Sequence, residues 1–172
     1  MKFFFSLVVS FFLLLGNSNS NESIRFININ YIVNNSDAGV ALNKIIEDKD
    51  KKIDTELRNL AKKLEEKKNK IISQKNILKK EEFDKLVLNY EKELKSFENF
   101  RKKKNGDFNK FRIESSKKIL DLLNPIITNF LKNESIKILL QKEKILFADD
   151  ELDITKEILE QFNKQHKKIK FE

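Results

Sequence analysis

The chain has 172 residues, with 35 Lys and Arg against 27 Asp and Glu and a formal charge of +8. Three glycines and one proline are too few for a loop-rich β-sandwich or a Rossmann-type enzyme, and a chain rich in Lys, Glu, Leu and Ile with so few breakers points to long helices. The absence of cysteine excludes disulfides, thiol nucleophiles and thiolate zinc sites, and one histidine cannot supply a His cluster or a His-centred triad.

Met1-Lys2, an apolar run over residues 3–15 and the small polar stretch 16–20 have the order of a cleavable secretory signal. The run is too short for a span of about 20 residues, so residues 1–20 are read as a signal peptide with a mature start near Asn21. Export of the mature chain follows. Residues 24–29 alternate and are β-branched or aromatic, which predicts a strand. Ser36 or Asp37 then suits a helix N-cap. From Ala38 to about Leu78 only Gly39 weakens a helix. The apolar residues Ile46, Ile53, Leu57, Leu60, Leu64, Ile71 and Leu78 trace a heptad seam, interrupted by Lys67 and Gln74.

Glu81 and Glu82 open a second helical run, whose seam reads Phe83, Leu86, Tyr90, Phe97, Phe108, Phe111 and Leu122. Residues 74–80 are the expected reversal, with Asn105-Gly106 as the competing turn. Pro125 is expected to kink the second helix or to start a new one. Residues 136–140 and 144–148 read as two strands of a β-hairpin. Asp153 is an N-cap for a last amphipathic helix, and the lysines after His166 suggest a frayed polar end. Asp149-Asp150-Glu151 fits a turn with capping acids better than a cation site.

The expected architecture is mainly α with a small β body. A long antiparallel helical hairpin, a coiled-coil arm over 38–124 with its tip near 74–80, projects from a body made of 21–37 and 125–172. A sheet of three strands with two open edges is marginal alone, and closure with copies of itself into a cyclic oligomer is the simplest remedy. Phe26, Ile27, Ile29, Ile138, Leu140, Ile145 and Phe147 are the body residues expected to build it.

Residues 51–118 hold 22 Lys and Arg and 12 Asp and Glu, a net of +10, whereas the rest of the mature chain holds 12 and 15, a net of −3. Lys62, Lys63, Lys67, Lys68, Lys70, Lys75, Lys79 and Lys80 crowd the distal arm, and Arg101, Lys102, Lys103 and Lys104 lie further back. Glu–Lys pairing cannot cancel an excess of ten, so a long-range positive field remains. These twelve residues are the candidate binding set. Phe83, Phe97, Phe100, Phe108 and Phe111 are hairpin core by spacing, and a loose seam would also offer them as apolar contacts.

The order strand, helical hairpin, two strands and short helix behind a signal peptide resembles the Skp/OmpH family of periplasmic chaperones. Three short anchors carry the resemblance. The first is Ile29-Asn30-Tyr31-Ile32-Val33-Asn34-Asn35-Ser36-Asp37-Ala38-Gly39, similar to the family's turn of helix and Ser-x-Ala-Gly start. The others are Lys80-Glu81-Glu82-Phe83 past the tip and Leu152-Asp153-Ile154-Thr155-Lys156-Glu157-Ile158-Leu159, similar to the Asp-Ile-Thr helix start. The resemblance implies a homotrimer with a shared β-barrel and three arms around a cavity. It also implies ATP-independent binding of unfolded outer-membrane β-barrel proteins. It carries over no catalytic residue, and no cofactor or metal is expected. Anionic lipid or lipopolysaccharide is a further partner consistent with the basic arm. An exported coiled-coil adaptor for a folded envelope partner is the alternative function. Nucleic acid is not expected behind an export signal.

Overall fold

The computed structural model describes residues 24–171, so the signal peptide read at 1–20 lies outside the described residues. Strand β1 (Ile24–Ile27) stops two residues short of the expected 24–29. The reason is Asn28, whose side chain accepts a hydrogen bond from the Tyr31 N–H at 2.7 Å and caps helix α1 (Ile29–Asn35). Ser36 serves two helices. Its N–H donates to the Ile32 carbonyl at the end of α1, and its hydroxyl accepts from the Gly39 N–H at the start of α2 (Asp37–Gln74). A Cβ on Gly39 would stand 1.8 Å from the Val33 carbonyl oxygen, so only glycine lets α1 fold back this tightly on the first turn of α2.

The chain reverses after Gln74, and α3 (Lys80–Asn133) returns antiparallel. With 38 and 54 residues, the two helices are about 57 Å and 81 Å long. Glu81 and Glu82 sit in the first turn of α3, where its N-cap Lys79 offers no side-chain bond. The seam residues face each other. Ile53, Leu57, Leu60 and Leu64 on α2 and Phe97, Phe108 and Phe111 on α3 are all half-buried. Register holds over a long stretch. Glu56 meets Lys104, and eleven residues on Lys67 meets Glu93, eleven residues back.

Asn105-Gly106 lies inside α3 and makes no turn. Pro125 starts no new helix either, because α3 runs through it. Pro125 is exposed, while its neighbours Leu123, Ile126 and Ile127 are buried, and that burial offsets the lost Asp121 carbonyl bond.

At the end of α3, Ser135 takes a left-handed φ of 56°. Its N–H donates to the Lys132 carbonyl and the Ile136 N–H to the Leu131 carbonyl, which is a Schellman closure. The chain leaves this turn alongside β1, and β2 (Ile138–Gln141) pairs with it in parallel, Ile24 opposite Ile138 and Ile27 opposite Gln141. The expected β-hairpin over 136–140 and 144–148 is therefore corrected. Lys142–Lys144 forms a 3-10 turn, and residues 145–148 form no strand. An apolar run signals a strand only if a neighbour is there to pair with, and β2 has already paired with β1. The sheet has two strands and is not a closed barrel.

A second 3-10 turn (Asp150–Leu152) leads to α4 (Thr155–Gln165). Asp153 sits one residue ahead of the formal N-cap, and its carboxylate accepts from the Thr155 N–H at 2.9 Å. The end beyond His166 is not a frayed tail. Ile169 and Phe171 pack against the core, and Lys118 Nζ donates to the Lys170 carbonyl at 2.8 Å.

The core collects where all elements meet. Ile27, Ile32, Ala38, Leu42, Ile119, Leu123, Ile126, Ile154, Ile158 and Phe162 are buried there together. Among the described residues, Ile71 near the tip is the only buried apolar side chain outside this base.

Candidate functional site

The arm is built by a seam too narrow to bury large side chains completely. Two antiparallel helices shield each seam residue from one direction only, so apolar rings stay partly open while lysines line both sides. The sequence-selected cations divide by role. Lys67 and Lys104 occupy the seam, where each crosses to the other helix, Lys67 to Glu93 at 2.5 Å and Lys104 to Glu56 at 2.9 Å. Lys80 pairs along its own helix with Asp84 at 2.9 Å. Lys62, Lys63, Lys68, Lys70, Lys75, Lys79, Arg101, Lys102 and Lys103 are exposed. They do not converge on one pocket; they spread a positive surface from mid-arm to tip.

Two grooves open between the helices. One, of about 670 Å³, has Ile53, Phe100, Phe108 and Phe111 as its apolar lining and Lys49, Lys52, Lys103 and Lys104 around it, with Glu56 and Asp107 as the acids. Lys49 Nζ lies 4.5 Å from the Phe111 ring centroid and Lys104 Nζ 5.0 Å from that of Phe100. The adjoining groove, of about 500 Å³, is lined by Leu60, Leu64, Phe97 and Phe100 with Lys63 and Lys67 beside them. Sequence reasoning missed Lys49 and Lys52. Their signal was positional, since they flank the seam residue Ile53 on the turn that faces Phe108 and Phe111.

The tip carries a different surface. Ile72 and Ile77 are exposed there, Ile77 at 79%, among Lys70, Lys75 and Lys79.

At the base, the expected body residues separate into two groups. Phe26 and Ile27 are buried in this chain's own core, and Ile29 and Ile145 are half-buried. Ile138, Leu140 and Phe147 are exposed, joined by Ile24 and by Leu146, which sequence reasoning did not select. Leu146 and Phe147 are essentially uncovered, at 105% and 94% exposure.

A polar junction ties the base together. The Asn28 N–H donates to Thr155 Oγ1 at 2.9 Å, and that hydroxyl donates to the Asp153 carboxylate. Lys142 Nζ donates to the other carboxylate oxygen at 2.6 Å and lies 5.5 Å from the Phe26 ring centroid. Partial burial pulls the Asp153 carboxyl upward, but the hydrogen bonds from Lys142 and Thr155 outweigh it and hold it below its ordinary value. The bond to Asp153 and its charge raise Lys142. Asp149 accepts from the Glu151 N–H within the second 3-10 turn, so the acidic cluster acts there as a local cap.

Fold and surface together define a basic helical hairpin rising from an apolar, sheet-bearing base. Residues 23–162 match the sequence profile of the family described as Outer membrane protein (OmpH-like), and the chain belongs to that family. The fold is similar to the crystal structure of an OmpH-like protein of Caulobacter crescentus CB15 considered an outer membrane chaperone. The TM-score is 0.80 at 13% identity, over 87% of this chain and 89% of that one. No curated protein matches the chain in sequence. Among the described residues, no helix is long and apolar enough to cross a membrane.

Proposed function

We propose that this protein is an ATP-independent holdase chaperone of the periplasm. It binds unfolded outer-membrane proteins between the arms of a homotrimer and keeps them from aggregating until delivery. Membership of the OmpH-like family supports a chaperone role. The observation that carries the finer reading is the arm itself, a basic surface interleaved with half-open phenylalanines. Such a surface makes many weak contacts of both kinds, which suits reversible holding of an unfolded chain. The exposed Ile24, Ile138, Leu140, Leu146 and Phe147 support the homotrimer, since a two-stranded sheet with an uncovered apolar flank gains by burial against copies of itself. In this reading residues 1–20 direct export, residues 38–124 form the arm, and the remainder forms the trimerisation body.

The test is dilution of a urea-unfolded outer-membrane β-barrel protein into buffer with and without residues 21–172, followed by light scattering at low and high salt. Suppression near one trimer per client, without nucleotide and weakening with salt, is the expected result. Equal aggregation with and without the protein would defeat the proposal. Sedimentation of a Leu146→Asp/Phe147→Asp variant tests the oligomer separately, and a monomer is expected.

A second reading is favoured by one observation, the exposed Ile72 and Ile77 among lysines at the tip. Apolar side chains within a basic surface suit the interface of an anionic membrane. Co-sedimentation with anionic vesicles, lost in Ile77→Asp, is the corresponding check.

A further inference from the structure

The two arm grooves adjoin. Phe100 lines both, and together they run from Lys49 to Lys67 along α2 and from Glu93 to Phe111 along α3. Eighteen residues of helix are about 27 Å, and about eight residues of extended chain cover the same distance. The floor is apolar along its length, with Leu60, Leu64, Phe97, Phe100, Phe108 and Phe111. The rim is not neutral. Lys104 and Lys67 are already paired with Glu56 and Glu93. Lys49, Lys52, Lys63 and Lys103 make no salt bridge among the described residues, and Asp107 is the only other acid at the channel.

We propose that this channel is a specific docking site for an extended polypeptide segment in which aromatic side chains alternate with carboxylates. The inference rests on the holdase reading and names what the arm selects within an unfolded client. The argument is geometric and electrostatic. In an extended segment successive side chains point to opposite faces, so every second one meets the phenylalanine floor. The side chains between them point away from the floor. Lysine ammoniums on long flexible stems reach around from the rim to meet carboxylates there. Lys49 already lies over the Phe111 ring, so an entering aromatic ring displaces a solvent-exposed cation rather than a packed side chain. A segment alternating aromatics with lysines fits the floor equally well and is repelled by the rim. Charge therefore sets the selectivity and ring burial sets the affinity.

The experiment uses the purified chain and three fluorescein-labelled peptides of about eight residues, alternating Phe with Asp, Phe with Lys and Ser with Asp. Anisotropy titrations at low salt are expected to show binding of the Phe/Asp peptide, at least tenfold tighter than either of the others. Lys52→Glu/Lys103→Glu changes only exposed residues and is expected to weaken that binding at least tenfold. Lys85→Glu, on the same arm outside the channel, is expected to leave it unchanged. Phe100→Ala is expected to abolish it, and circular dichroism shows whether that variant keeps its helices. If it does not, the lysine pair decides. Equal binding of the Phe/Lys peptide overturns the proposal, and so does indifference to the Lys52/Lys103 reversal. If the lysine pair controls binding of anionic vesicles but not of peptide, the channel reads lipid and the proposal fails. Failure here is separable from failure of the holdase reading. Without peptide binding but with suppressed client aggregation, only the channel is lost. With peptide binding in the channel but no suppression, only the holdase reading is lost.

Discussion

Where α2 and α3 cross the base, Leu42, Ile119 and Leu123 are almost fully buried, whereas along the arm Ile53, Leu57, Leu60 and Leu64 on the same α2 remain half-exposed. The residue types are alike in both places, and the difference lies in the number of layers. At the base α1, α4 and the carboxyl-terminal tail close over the two helices, so side chains are enclosed from every direction. On the arm two helices shield each other from one side only. Burial stabilises by about 25 cal/mol per Å² of apolar surface removed from water, so the base supplies most of the stability and the arm leaves apolar surface open to solvent.

The sharpest break of this contrast is Phe162→Ala. Phe162 is a fully buried residue of α4, and its truncation is expected to cost about 3–5 kcal/mol and to unfold the base near physiological temperature, as read by chemical denaturation. The matching change on the arm, Leu60→Ala, removes a half-buried side chain. It is expected to cost about 1–2 kcal/mol, below the usual core truncation. Equal losses at the two sites would erase the distinction between them.

Gly106→Ala tests the opposite sign. A Cβ there meets nothing within 4 Å, so alanine is expected to gain about 0.5–1 kcal/mol of helix stability and to slow amide exchange in mid-arm. Unchanged exchange around residue 106 would show that the arm is not limited by its glycine.

The smallest expected effect is the pH dependence of the base. Asp153 is held below its ordinary value near 3.8, so its contribution is fully present above that pH and is lost as pH falls through the lowered folded value. Lys142 is raised above its ordinary 10.5, so its contribution persists below that pH and is lost only as pH rises beyond it. Thermal melts of Asp153→Asn are expected to show a shallower fall in Tm below about pH 4 than the parent chain. An identical acid limb would remove the junction from the account.

Much of the hairpin was legible because its signals are local. The seam repeats every seven residues, Ser36 precedes the helix it caps, and Glu81 and Glu82 mark the first turn of the returning helix. Signals that depend on partners were not legible. The run Ile145-Leu146-Phe147 has the composition of a strand, but β2 pairs with β1 across more than a hundred residues of intervening chain. Pro125 reads as a breaker until buried neighbours hold the helix around it. Ile169 and Phe171 sit in a lysine-rich end that reads as solvated, and only the core beneath them explains their packing.

The candidate surface divides along the same line. The net charge of the arm and the lysines that carry it follow from composition, as does the long antiparallel hairpin, because charge and heptad spacing are properties of short segments. Tertiary structure decided which lysines are neutralised and which remain on the rim of an apolar channel, since Lys67 and Lys104 find their acids only across the hairpin. It also decided that the strand pair is parallel, because the Schellman turn at Ser135 delivers the chain to β1 from one direction, and direction is a property of three dimensions.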